Sequence, residues 1–188
     1  MNSSMQISIR RFSAENEPAF WRIHDERQGC GWCACAAWWV PTWEGWGERT
    51  AEQNRALRAS LIEQGEYDGY ILYVDETPAG WVQVGARDRL LKLVTQFGLE
   101  PDPGTWAITC FLILPDWRGH GLARALLAGV LDDLPKRGAT RVEAFPKRGV
   151  DLDALDLWNG PESMYLLAGF RVLREHSDRP VLAMELIR

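Results

Sequence analysis

The chain has 188 residues, 46% of them hydrophobic, with 21 basic against 26 acidic side chains and a formal charge of -5. That length supports one well-packed core and strains to supply two, so residues 1–188 read as a single domain. No Lys or Arg block follows a nucleic-acid backbone, no apolar run approaches the roughly 20 residues that span a bilayer, and the opening MNSSMQISIRRF lacks an apolar signal core. The expectation is a cytoplasmic protein with neither nucleic acid nor membrane as partner.

In chain order, MQISIRRF alternates as a strand does, and Ser13 opens a short helix over AENEPAFWRIHDE. Residues 29–47 carry five of the ten tryptophans (Trp32, Trp38, Trp39, Trp43, Trp46) among glycines and prolines, with no clean period. An irregular or broken-helix segment is expected there. Thr50 and Gln53 match a capping box, which predicts a helix over residues 51–64 stopped by Gly65. GYILYVD and GWVQVGAR read as a β-hairpin turned at ETPA by Pro78. A short helix in DRLLKLVTQFG and a turn in EPDPG lead to TWAITCFLIL, residues 105–114, the most apolar strand and therefore the expected centre of the sheet. A helix over residues 122–134, the strand RVEAF, a short helix SMYLLAG closed by Gly169, and the strands FRVLRE and PVLAMELI complete the chain.

The sequence PDWRGHGLARALL joins the central strand to the long helix. Backbone amides at a helix start carry partial positive charge, and glycines let an anion approach them, so Arg118, Gly119, His120, Gly121, Leu122 and Ala123 form a candidate anion-binding loop. A Walker loop is excluded, because one residue separates the glycines and Leu-Ala follows them. A dinucleotide fingerprint finds two glycines and an acid, Glu143, downstream, but Arg124 occupies the third glycine position, where close helix–strand packing needs a small residue.

The loop resembles the Gln/Arg-x-x-Gly-x-Gly/Ala motif of the GNAT superfamily of acyl-CoA-dependent N-acetyltransferases, matched by Arg118, Gly121 and Ala123. Downstream, MYLLAGF is similar to the family's Tyr-x-x-x-Gly-Phe element, with Tyr165, Gly169 and Phe170 in register. The resemblance covers roughly residues 68–175 and extends loosely to the terminal strands. It implies an α/β fold with a mixed, mostly antiparallel sheet of about 6–7 strands, splayed beside the central strand. It further implies an acetyl-CoA-binding core at 105–145, and a variable acceptor-site region at 12–66. The ligand is then acetyl-CoA as acyl donor, with its pyrophosphate on the amides of residues 118–123 and its pantetheine along Phe111, Leu112 and Ile113. The partner is an amine-bearing small molecule or peptide, and a homodimer is left open.

Acyl transfer to an amine poses two proton problems. A lysine-like amine with pKa near 10.4 keeps its reactive neutral form at pH 7 only at a cost of roughly 4.6 kcal/mol, so a base should assist. Glu143, on the strand beside the central one, is the candidate, with a solvent-facing strand carboxylate as its alternative. Tyr165 stands where the resemblance places an acid for the departing thiolate, and its alternative is packing. Cys110 could be imagined as an acyl-cysteine nucleophile, but it lacks an adjacent base in the sequence and reads as packing. Cys30, Cys33, Cys35 and His24 could be four zinc ligands, yet structural sites usually pair knuckles from separated parts of the chain. Reduced thiols without metal are expected, and the tryptophans are expected to wall the acceptor site, where their faces could hold a ring or an ammonium group. The competing class is a non-catalytic acyl-CoA-binding or zinc/thiol module on the same fold.

Overall fold

A computed structural model describes residues 5–26, 31–66 and 68–186. The strands β1 (Ile7–Arg11), β2 (Gly69–Val74), β3 (Thr77–Ala86), β4 (Thr105–Ile113), β5 (Arg141–Ala144), β6 (Arg171–Arg174) and β7 (Val181–Glu185) form one sheet in the order β1-β2-β3-β4-β5-β7-β6. All neighbours are antiparallel except β4 and β5, which run parallel. The helices are α1 (Glu17–Glu26), α2 (Ala51–Glu63), α3 (Leu91–Phe97), α4 (Leu122–Asp133) and α5 (Glu162–Leu167).

β2 is an unbroken apolar run because both faces of the sheet are covered. Tyr70, Leu72 and Val74 pack with Val82, Ile108, Phe111 and Val142 against Leu122, Leu126, Leu127 and Val130 of α4. On the other face, Ile71, Tyr73, Trp81, Cys110 and Leu112 meet Phe20 and Ile23 of α1, while Ala107, Phe145 and Val181 meet Leu93 and Phe97 of α3 and Trp38. The Thr50–Gln53 capping box starts α2 as its sequence predicts, and Gly65, at φ +68°, follows its end. The tryptophan segment is irregular, with 3-10 turns at Gly31–Cys33 and Trp46–Glu48.

The β2–β3 turn differs from expectation. It is formed by Asp75 and Glu76, at φ 45° and 65°, and Pro78 lies inside β3 opposite Tyr73, where the register shifts. Two consecutive residues with positive φ give the tight turn whose twist matches a hairpin, and a bulge is where a strand accepts a residue with no N–H to donate. The turn is held from outside by the Gln6 N–H on Asp75 Oδ1 (2.9 Å) and by Arg10 on Glu76.

A second bulge positions the site. Gln83 pairs with Cys110 and Val84 with Ile108, so Thr109 is an extra residue in β4. The parallel β4–β5 pairing ends at Ile108 and Ala144. The sheet therefore opens at Thr109, since a bulge bends the strand that carries it.

Candidate functional site

The opening between β4 and β5 leads into a cleft of about 730 Å³ between the β4–α4 loop and the segment that enters α5. Phe111, Leu112, Ile113, Arg118, Gly119, Gly121, Leu122 and Ala123 all line it, whereas His120 is exposed and does not. Gly119 and Gly121 sit at φ +80° and +75°, a conformation that costs a residue with a Cβ, and no side chain caps α4. The amides of residues 119–123 make no hydrogen bond among the described residues, while the Arg118 amide is spent on the Pro115 carbonyl (3.2 Å). Arg118 instead directs Nε to the Ile113 carbonyl (3.0 Å). With Arg118 and Arg124 in its wall and no carboxylate among its lining residues, the cleft is cationic in an acidic protein. That donor set fits a diphosphate.

The edge of β4 in the cleft is partly used. The Phe111 N–H donates to the Trp158 carbonyl (2.8 Å), and the Leu114 N–H points the other way, to Ala79 of β3 (2.9 Å). By strand alternation the Phe111 carbonyl and the Ile113 N–H face the cleft, and Leu112 turns its backbone towards β3. Leu155 and Leu167 make the mouth apolar, at 51% and 78% exposure.

Tyr165 has no exposed surface and donates its hydroxyl to the Asn159 carbonyl (2.6 Å). Its ring meets Phe111 edge-on (6.5 Å) and Phe170 (5.2 Å). Gly160, at φ +81°, lines the cleft, and a Cβ built there would lie 2.7 Å from the Tyr165 oxygen. The hydroxyl thus sits one layer of backbone behind the cleft wall, and burial pushes its pKa well up, which keeps it protonated.

Glu143 does not match the expectation of a base, nor that of a solvent-facing carboxylate. It is fully buried on the α3 side of the sheet, and both its oxygens accept from Arg87 Nη1 (3.0 and 3.1 Å). Arg87 also holds Asp88 and the Glu100 carbonyl. Burial pushes the Glu143 carboxyl up and Arg87 pulls it back. Glu143 is not among the lining residues of the cleft, and its ion pair with Arg87 ties β5 to the turn before α3.

The tryptophans form a cage, and its cation belongs to the chain itself. Lys92 Nζ lies 3.4 Å from the Trp43 ring centre and 5.6 Å from those of Trp38 and Trp46, and it donates to the Ala37 carbonyl. Desolvation lowers its pKa to about 8. Trp38 is core, and it stacks on Trp158 (5.8 Å, 26°), the residue whose carbonyl holds Phe111. Among the described residues no group of three or more His, Cys, Asp or Glu is arranged to hold a metal; Cys30 lies outside the described residues. No described helix is long and apolar enough to cross a membrane.

Trp158, Asn159 and Gly160 meet Phe111 and Tyr165 without any strong signal in the sequence. Only the Gly160–Pro161 dipeptide, a turn signal before a helix, marks them locally.

Residues 21–159 match the family model described as the acetyltransferase (GNAT) family. Among solved structures, the chain is similar to the ribosomal-protein-S18-alanine N-acetyltransferase of Escherichia coli, with a TM-score of 0.56 at 15% identity over 97% of this chain and 96% of that one. It is also similar to the GNAT family N-acetyltransferase YhbS of Escherichia coli in complex with CoA (TM-score 0.61, 16% identity, 100% and 85% covered). A third similarity is to a PaiA N-acetyltransferase of Thermoplasma acidophilum in complex with coenzyme A (TM-score 0.56, 15% identity, 96% and 99% covered). At these identities the likeness is one of fold. No curated protein matches the chain by sequence.

Proposed function

The chain belongs to the GNAT acetyltransferase family, and we propose that it transfers an acetyl group from acetyl-CoA to a primary amine of a small molecule or peptide, by direct attack in a ternary complex. The observation that carries this reading is the continuity of one cleft from the bare amides of residues 119–123 to the open edge of β4. In this reading those amides, with Arg118 and Arg124, hold the pyrophosphate. The Phe111 carbonyl and Ile113 N–H pair with the amides of the pantetheine arm, and the thioester comes to rest near Gly160.

The amine nitrogen attacks the thioester carbon, the C–S bond breaks, and Tyr165 supplies a proton to the thiolate. For that contact the 159–160 backbone must yield, because it covers the hydroxyl. With Glu143 locked to Arg87 and no His, Asp or Glu among the lining residues of the cleft, the amine gives its proton to water, and water in turn reprotonates Tyr165.

Thiol release from acetyl-CoA across a panel of amines tests the reaction, and calorimetry on Gly121→Glu tests the site. The substitution adds a carboxylate and a strained φ where the phosphates approach, so CoA affinity should fall by more than about tenfold. Unchanged affinity would make the loop only a turn. Tight CoA binding with no thiol release on any amine would favour the non-catalytic acyl-CoA-binding module.

A further inference from the structure

On the face of β4 away from α4, four groups outside the cleft converge: His24, Cys110 and Cys35, with the Cys33 thiol also in contact with Cys35. Cys35 Sγ lies 2.8 Å from Cys110 Sγ, across 75 residues of chain, and 3.2 Å from His24 Nε2. Both cysteines are buried thiols. The other ring nitrogen of His24, Nδ1, faces the Phe20 carbonyl at 2.9 Å. A carbonyl only accepts, so Nδ1 carries the proton of the neutral ring and Nε2 presents its lone pair to the Cys35 thiol.

The backbone that delivers Cys35 is strained. Ala34 and Cys35 are consecutive residues with positive φ, at 44° and 54°, and neither is glycine. Such residues persist only where the surroundings over-determine them, and they cluster at functional positions. Here the determinant is Arg58, fully buried, which donates Nε to the Ala34 carbonyl (2.9 Å) and Nη2 to the Cys35 carbonyl and to Gln83 Oε1 (3.0 Å). Two sulfur ligands of a tetrahedral zinc sit about 3.8 Å apart when each Zn–S bond is near 2.3 Å, well beyond the spacing seen here. The spacing lies between that and the bonded length of roughly 2.05 Å, so a small shift of either side chain joins the two sulfurs.

We propose that Cys35 and Cys110 are a redox-active dithiol, with His24 as its base, that a peroxide-class oxidant converts to a disulfide. Burial and the neighbouring thiols hold the Cys35 thiol protonated, so the imidazole has to take the proton. The Cys35 proton passes to His24 Nε2, and the sulfur attacks one peroxide oxygen. The O–O bond breaks, and the departing hydroxide recovers the proton from the imidazolium as water. The Cys110 sulfur then attacks the sulfenic sulfur of Cys35; the S–O bond breaks, and hydroxide leaves with the Cys110 proton as a second water. Two electrons move from the two sulfurs to the peroxide, giving one disulfide and two waters. A hollow of about 260 Å³ reaches His24 and Ala34 though neither sulfur, so an oxidant entering there passes the imidazole to reach Cys35. The product ties the tryptophan segment to the central strand, and the proposal stands whether or not acyl transfer does.

Full-length protein treated with hydrogen peroxide should lose about 2 Da and yield a dithiothreitol-sensitive peptide joining Cys35 to Cys110. Its melting temperature should rise by about 4 to 15 °C, the range for closing a long loop in a chain of this size. Cys35→Ser and Cys110→Ser should each abolish the cross-link, whereas Cys33→Ser, which checks that thiol loss alone does not unfold the protein, should retain it. His24→Asn should slow cross-linking by at least about tenfold. Oxidation that stops at sulfenic or sulfinic acid, a disulfide through Cys30 or Cys33, or stoichiometric zinc that shields the thiols would each overturn the assignment.

Discussion

The two sides of β4 are built on opposite terms. Towards α4 the strand opens into a cleft lined by two arginines and by amides that make no hydrogen bond among the described residues. Towards α1, Cys110 and Leu112 are packed with Phe20, Ile23 and Trp81, and the polar groups found there, His24 and Arg58, are hydrogen-bonded within the chain. One side presents its donors to a cleft, and the other spends most of its polar groups within the chain. Substitutions on the α1 side should therefore appear in melting temperature, and those on the cleft side in affinity and turnover.

The largest effect expected is from Arg58→Met. It leaves the Ala34 and Cys35 carbonyls buried without their donor, at about 1 to 3 kcal/mol each, so stability should fall by about 2 to 6 kcal/mol. Calorimetric CoA affinity of the folded fraction should not change; a parallel loss of affinity would join the two sides into one unit.

Tyr165→Phe lies on the α4 side, behind the cleft wall. If the hydroxyl acts as the acid, turnover should fall by roughly ten- to a thousandfold with affinity held, since positioned acid catalysis is worth about 10² to 10⁴ and water replaces part of it. Equal turnover would leave Tyr165 a packing residue of the α4 face, bonded to Asn159.

The smallest effect concerns Lys92. Its folded-state pKa of about 8 lies below the usual 10.4 or so, so charging it costs stability below pH 8, and the cost lifts as pH rises towards 10. The melting temperature of the wild type relative to Lys92→Met should thus climb by a few degrees at most between pH 8 and 10. A difference flat in pH would place the ammonium in water and dissolve the cage.

Much of the fold is legible locally. The apolar run of β4, the glycines before α4 and the Thr50 capping box each state their structure within about ten residues, because strand burial, a positive φ and a cap are local demands. The cleft loop was legible for the same reason, though not the fact that the Arg118 amide is already bonded. What sequence could not show was pairing at a distance. Glu143 reads as an available strand carboxylate until Arg87, 56 positions away, closes on it. Cys110 lacks an apparent base until the fold delivers Cys35 and, behind it, His24. The hairpin misled for another reason: Asp75 and Glu76 adopt a glycine-like turn because Gln6 and Arg10 hold it, and Pro78 drew attention to itself.

Thr109 gives the open sheet an unusual genetic footing. On either side of it, Ala107 and Cys110 face away from α4 while Ile108 and Phe111 face towards it. Removing that one residue would leave every flanking side chain on its present face and would merely restore an unbroken register with β3. The bend in β4 is thus encoded by the count of residues in the strand more than by their identity, and it turns on a single in-frame codon. An inventory of side-chain types along the strand passes over such a codon, whereas an insertion or deletion between lineages would expose it.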